Sequence, residues 1–243
     1  MVIHLVGETI DAKRAHKRAQ AGELVQLVRG IYVEQDIDAE AAVLSHAVRI
    51  AHYLYPNAFL SSASAALLAP TPDGRLFISG RRNQRTRLRS LEIVQNEAPP
   101  HPSTAAAVVG DDLGELRIDV SSPRQRFLEA FRLRSEHASA ITVEMRVQMA
   151  VRLIEEHSTP KEAADAVWAL ARENGWYREG EGAERFLLAQ PGKAKVFANK
   201  AALDLLVAWH GDPFPKIHRQ PITYTRPPVM ADDTKAIMPQ FRH

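Results

Sequence analysis

The chain has 243 residues, 45% hydrophobic and 25% charged, a composition that suits one large or two modest folded domains and excludes a disordered chain. Lysine and arginine (31) nearly balance aspartate and glutamate (29), so at a formal net charge of +2 any attraction to a polyanion must come from where the cations cluster. With no cysteine, disulfides and thiolate metal sites are excluded; with no 18-residue apolar run or signal-peptide pattern, no membrane partner is expected and a cytoplasmic location is the simplest reading.

Residues 16–33, HKRAQAGELVQLVRGIYV, join a basic helix end, a glycine stop and two short apolar runs. On the helical wheel Ala12, Ala15 and Ala19 share one face, and Lys13, Arg14, Lys17 and Arg18 fill the opposite one. Gly22 supplies the positive φ that ends the helix, and Leu24, Val25, Leu27, Val28, Ile31, Tyr32 and Val33 carry the bias of two strands joined at Arg29-Gly30. This is the order of a DNA-reading helix followed by a β-hairpin wing. Residues 1–10 are too few for the two helices that normally come first, so the winged helix is read as truncated.

Asp36 or Asp38 is expected to cap a helix running to about Tyr55, with Ala41, Leu44, Val48, Ala51 and Tyr55 inward and Pro56 beyond its end. His46 and His52, six apart, do not share a face and read as ordinary histidines. A short strand at 58–61 leads into a small-residue helix capped by Ser62. Residues 75–95 read as one hairpin, with Leu76, Phe77 and Ile78 in its first strand and Leu88, Leu91, Ile93 and Val94 in its second. Between Arg75 and Arg89 lie six arginines and no acid. Pro99, Pro100 and Pro102 mark a connector, and 116–120 is a further strand.

From Ser122 the chain reads as helical. Ser122, Pro123 and Gln125 form a capping-box start, with Phe127, Leu128 and Phe131 buried. A helix over about 142–157 with Val143, Val147, Val151 and Ile154 in register follows, then one capped by Thr159 with Pro160 first and Glu162 third, running to Gly175. Shorter helices are expected at 183–189 and 199–210. Six prolines between 213 and 239 make 212–243 an extended tail.

Catalytic patterns are sparse. Gly180-Glu181-Gly182 lacks the strand and lysine of a phosphate loop, there is no HExxH, and Asp111-Asp112 and Asp232-Asp233 read as solvated turns, so no metal or other cofactor is expected. Glu115 and Asp119, on one strand with Arg117 between them, are the only carboxylate pair suited to a nuclease or nucleotidyltransferase. Trp168, Trp176, Trp209, Met145 and Met149 sit at helical positions that suit a core.

At LVQLVRGIYV, at YPNAFLSSASAALLAPTPDGRLFISGRR and at DVSSPRQRFLEAF the chain resembles the AbiEi-type antitoxins of type IV toxin–antitoxin systems, over about residues 15–135. The matching positions are Arg29, Gly30 and Tyr32; Ser61, Ser64 and Ala65; and Ser122, Pro123, Arg124 and Leu128. The resemblance implies an N-terminal winged helix that binds inverted repeats in its own promoter, and a C-terminal part that counteracts a toxin, often a nucleotidyltransferase. The chain is therefore read as α+β: a winged-helix-like element over 1–36, an antitoxin domain over 37–211 that is α/β to 120 and helical from 121, and the tail over 212–243. The expected function is non-enzymatic DNA binding and transcriptional regulation. Lys13, Arg14, Lys17 and Arg18 would meet phosphates or base edges, Arg29 would anchor the wing, and Arg81, Arg82, Arg85 and Arg87 would form a second nucleic-acid surface. A protein-interaction module that binds no DNA, and a metal-dependent nuclease or nucleotidyltransferase, are the alternatives.

Overall fold

A computed structural model of the chain describes residues 2–190. The expected helix at 199–210, Trp209, the Asp232-Asp233 pair and the proline-rich tail lie outside the described residues. The fold is mixed α and β, with two sheets among the described residues.

The basic helix is α1 (Ala12–Gln20), whose N-cap Asp11 accepts the N–H of Arg14 and whose end is followed by Gly22 at φ +75. The two strands after it, β2 (Leu24–Val28) and β3 (Ile31–Glu34), pair antiparallel around the Arg29-Gly30 turn. They are not alone. A strand unexpected from the sequence, β1 (Ile3–Leu5), pairs with β3, giving a three-stranded sheet in the order β1-β3-β2.

The long helix expected after Asp38 is two. Asp38 caps α2 (Ala39–Ser45), and α3 (Ala47–Leu54) restarts at His46. The Ser45 hydroxyl and His46 Nδ1 both bond the Ala42 carbonyl, so side chains compete with the backbone ladder at the break. The apolar stripe shifts accordingly, from the exposed Ala41 to Ala42, Val43, Ala47 and Ile50.

The second sheet has six strands: β4 (Phe59–Leu60), β5 (Arg75–Gly80), β6 (Gln84–Leu88), β7 (Leu91–Glu97), β8 (Thr104–Asp111) and β9 (Gly114–Ser121), in the order β6-β7-β5-β4-β9-β8. Between β4 and β5 lies the short helix α4 (Ser62–Leu67), with Ser61 rather than Ser62 at its N-cap. The single arginine hairpin expected over 75–95 is corrected to three strands. β6 and β7 form a hairpin turning at Arg89-Ser90, and β5 pairs with β7 in parallel. The 81–83 connection therefore arches over the end of β7, where Asn83 accepts the N–H of Glu97 and the Gly80 carbonyl accepts that of Ala98.

Strand alternation turns the side chains of β5 to two faces of the sheet. Leu76 and Ile78 join a core shared by both sheets, α2 and α3, while Phe77 faces the ring of His137 edge-on at 4.9 Å. Because Ile3, Leu5, Ile31 and Val33 belong to this same core, the first 36 residues bury their apolar face against the α/β region. Ile10, Ala15 and Leu24 add a small cluster beneath α1.

A second core belongs to the helices. α5 (Pro123–Glu129) is capped by Ser122 with Pro123 first; the one-turn α6 (Glu136–Ser139) follows; α7 (Val143–His157) is capped by Thr142 and α8 (Pro160–Glu173) by Thr159. α9 (Tyr177–Leu188) starts six residues earlier than expected, with Gly180 against Trp168 and Gly182 against Phe131. Phe127, Phe131 and Phe186 meet edge-on at the centre. Trp168, Trp176 and Met145 pack partly buried against this core and Met149 lies within it.

Candidate nucleic-acid interface

The packed side of α1 is narrower than its alanines suggest. Ala15 is fully buried, Ala19 half-buried and Ala12 exposed. Lys13, Arg14 and Lys17 are exposed on the other side, and none has an acidic partner among the described residues. Arg18 differs. Its Nε donates to Glu23 at 2.7 Å and a guanidinium nitrogen lies 4.0 Å from Glu34, so it is drawn onto the edge of the small sheet.

The wing turn is built by close approach. Gly30 holds φ +84, and a Cβ there would stand 2.4 Å from the Tyr53 hydroxyl, which donates to the Val6 carbonyl. Tyr53 thereby ties the wing to α3, and Arg29 beside it points out, exposed and without an acidic partner.

The arginines of the second sheet fall into two sets. Arg81 and Arg82 sit exposed on the 81–83 arch; Arg82 donates only to Gln84, a neutral partner, at 2.7 Å. Arg85 and Arg87 are different: no acid lies among residues 75–89, but the fold brings two carboxylates to them from outside that stretch. Strand pairing sets Glu92 of β7 directly opposite Arg87, which donates to it at 2.9 Å; Arg85 reaches the same carboxylate at 3.6 Å and also bonds Glu136 of α6. The Arg87 hydrogen bond, outweighing partial burial, holds the Glu92 carboxyl below the usual range.

The fold brings Arg29 together with Arg81 and Arg82. All three line one pocket of about 640 Å³ between the wing turn and the arch, with Tyr55, Gln84 and Gln95 among its walls. The Tyr55 hydroxyl accepts from Gln84 at 2.8 Å and bonds Thr86, which fixes the ring. Lys13, Arg14 and Lys17 are not part of this pocket. Gln95, Tyr55 and Gln84 carry no sequence signal that marks them for a site, since their convergence depends on strand order.

Two further clusters bear on chemistry. His46, Asp111 and Asp112 hold their ligand atoms within 4.8 Å of one another, the geometry of a cation site. Their capacity is already engaged: Arg49 grips both Asp111 oxygens at 2.7 and 2.8 Å, His46 Nε2 contacts Asp112, and its Nδ1 bonds Ala42. The pair expected as a solvated turn is thus the β8–β9 turn latched onto α2 and α3. The second cluster is buried, where Ser61 donates to His137 Nδ1 at 3.2 Å and His137 Nε2 donates to the Val94 carbonyl. Glu129 accepts from Ser62, Ser121 and Gln125 and not from His137, so the three groups form no nucleophile–base–acid relay. Glu115 and Asp119 lie exposed on the outer face of β9 beside Arg117.

Among the described residues no helix is long and apolar enough to cross a membrane. The chain matches no protein-family model and no curated protein.

Proposed function

We propose that the protein is a non-enzymatic DNA-binding regulator, with α1 as the reading helix and the β2–β3 hairpin as its wing. The observation that carries this reading is the face of Lys13, Arg14 and Lys17, exposed and without acidic partners, on a helix held by Ala15 to the sheet that also presents Arg29. Cations left free of carboxylates are the ones available to exchange counterions for phosphates. Arg18 has a supporting role here, through Glu23, rather than a contact of its own. The further reading, an antitoxin that represses its own promoter and counteracts a partner toxin such as a nucleotidyltransferase, is supported by the resemblance to AbiEi-type antitoxins alone.

The test is fluorescence anisotropy of the full chain on its own upstream duplex across a salt series. Changing Lys13, Arg14 and Lys17 together to Gln should leave the thermal midpoint within a few degrees, since surface substitutions each move stability by about 0.5 kcal/mol or less. Affinity should fall, and the slope of log affinity against log salt should flatten by up to about 2.7. Unchanged affinity and slope in a folded variant sink the proposal.

A further inference from the structure

The pocket between the wing turn and the 81–83 arch has a chemistry that a duplex backbone does not need. Arg29, Arg81 and Arg82 stand on it, and no carboxylate is among the described residues that line it. Its remaining wall is mixed, with Val28, Leu54 and Pro56 offering apolar surface beside the fixed ring of Tyr55. Gln95 is the telling residue. It is only 6% exposed, and its Oε1 is buried with no hydrogen-bond partner, a state that is costly and uncommon for a side-chain carbonyl. The amide is placed there deliberately by the fold: its Nε2 lies against Gly80, where a Cβ would stand 2.3 Å away. A glycine at the arch leaves room for a carboxamide that no protein group satisfies.

These features specify a ligand. Three guanidinium groups without acids call for an anion, and planar guanidinium suits phosphate in particular. An apolar and aromatic wall calls for a flat ring. A carboxamide that no protein group satisfies calls for a polar edge that it can meet as donor or acceptor. Inorganic phosphate supplies only the first, and a base paired in a duplex keeps its faces stacked on its neighbours and cannot lay a ring on the pocket wall. A volume of about 640 Å³ is within the range of small-molecule sites.

We propose that this pocket binds one unstacked nucleotide, its phosphate on Arg29, Arg81 and Arg82 and the polar edge of its base on the Gln95 carboxamide. The nucleotide can be free or part of a single strand; the chemistry is the same and the experiment separates the two. The site is independent of the duplex-reading face of α1, because Lys13, Arg14 and Lys17 do not line it.

The experiment is calorimetric titration of the full chain with AMP, GMP, CMP and UMP, with inorganic phosphate, and with a single-stranded tetranucleotide. One of the mononucleotides, or the tetranucleotide alone, should bind once per chain, at least about tenfold more tightly than phosphate. Gln95→Leu, close in shape and lacking both polar atoms, should weaken it about tenfold, the usual worth of a satisfied buried hydrogen bond. The double change Arg81→Gln and Arg82→Gln, at exposed positions, should weaken it at least as much and keeps the test decisive if Gln95→Leu does not fold. Binding by mononucleotides assigns a free nucleotide as ligand, and binding by the tetranucleotide alone assigns a strand. The proposal is overturned if no nucleotide or tetranucleotide binds up to about 1 mM, if phosphate binds equally well, or if binding survives both variants. Loss of duplex affinity in the α1 variant with nucleotide binding retained is the pattern expected of two separate sites. Duplex binding that fails altogether while nucleotide binding persists removes the regulator reading and leaves this one standing.

Discussion

Glu129, fully buried at the end of α5, accepts the backbone N–H of Ser62 at 2.7 Å. Ser62 opens α4 at φ +54, a conformation that non-glycine residues adopt at a cost of about 1 kcal/mol, and its N–H has no helical partner there. The same carboxylate accepts from Ser121 at 2.8 Å and from Gln125 at 3.3 Å. One side chain of the helical half thus terminates the β4–α4 turn and the end of β9, and joins the two cores. Glu129→Ala should cost about 2 to 4 kcal/mol by leaving the Ser62 N–H buried and unsatisfied. Equilibrium denaturation measures it, and a loss below about 1 kcal/mol would show that water replaces the carboxylate.

Burial pushes the Glu129 carboxyl up, against the pull of its donors and of Arg126. A raised carboxyl contributes stability that is present below its unfolded value and lost as pH rises through its folded one. Glu129→Gln removes that titration while keeping one acceptor. Relative to the variant, the wild type should therefore lose stability as pH rises above 4.5, measured as the difference in urea midpoint. A difference that stays constant or moves the other way contradicts the assignment.

His137 works with the opposite sign. Burial lowers its pKa from 6.5 to about 4, with Arg132 adding to the effect, and it is neutral between Ser61 and Val94. The unfolded chain takes up the proton first as pH falls, so stability present above pH 6.5 is lost between 6.5 and about 4. The depression corresponds to ~3 kcal/mol. Because the contribution of Glu129 also changes above pH 4.5, the test compares wild type with His137→Gln at pH 7.5, 5.5 and 4.5. The acid loss should shrink in the variant by most of that amount, and an identical pH profile would place the imidazole in contact with water.

Arg49 and Asp111 pair with side chains each about one-tenth exposed, and Arg49 also donates to the Gly114 carbonyl at 2.6 Å. Although burial pushes the Asp111 carboxyl up, Arg49 and the Leu113 N–H outweigh it and hold it below its usual value. Removing one partner strands the other, so Arg49→Leu or Asp111→Asn should each cost about 3 kcal/mol. The double variant should cost clearly less than the sum, because the stranded charge is gone. Additive losses would mean that the two side chains stabilise the fold independently.

What could be read from the sequence follows the range of the forces involved. The starts of α2, α5 and α8 are legible at Asp38, Ser122 and Thr159 because a cap and its N–H partner lie within three residues. β8 is not legible: six of its eight residues are alanine, valine or glycine-like in size, most are exposed, and its pairing partner β9 supplies the register. The start of α9 is hidden by Gly180 and Gly182, whose small size serves contact with Trp168 and Phe131 rather than any local preference. The cations of α1 are legible from their helical spacing, whereas the engagement of Arg85 and Arg87 by Glu92 depends on β6 pairing with β7. The pocket is the extreme case, since Arg29 and Arg81 meet only through the strand order of two sheets.

That division of the arginines gives a graded expectation for salt dependence. Each phosphate contact contributes about 0.9 to the slope of log affinity against log salt on duplex DNA. If the arch touches the backbone, Arg81→Gln with Arg82→Gln should flatten the slope by up to about 1.8, because neither guanidinium has a carboxylate to leave. Arg85 and Arg87 must first give up Glu92 and Glu136, so changing them to Gln should flatten it less. Glu92→Gln releases Arg87 and removes a negative charge, and should raise duplex affinity at low salt. The ordering separates a designed cationic surface from a diffuse one. Equal effects from both pairs, with no gain from Glu92→Gln, would mean that the ion pairs across β6 and β7 do not govern which arginines meet the backbone.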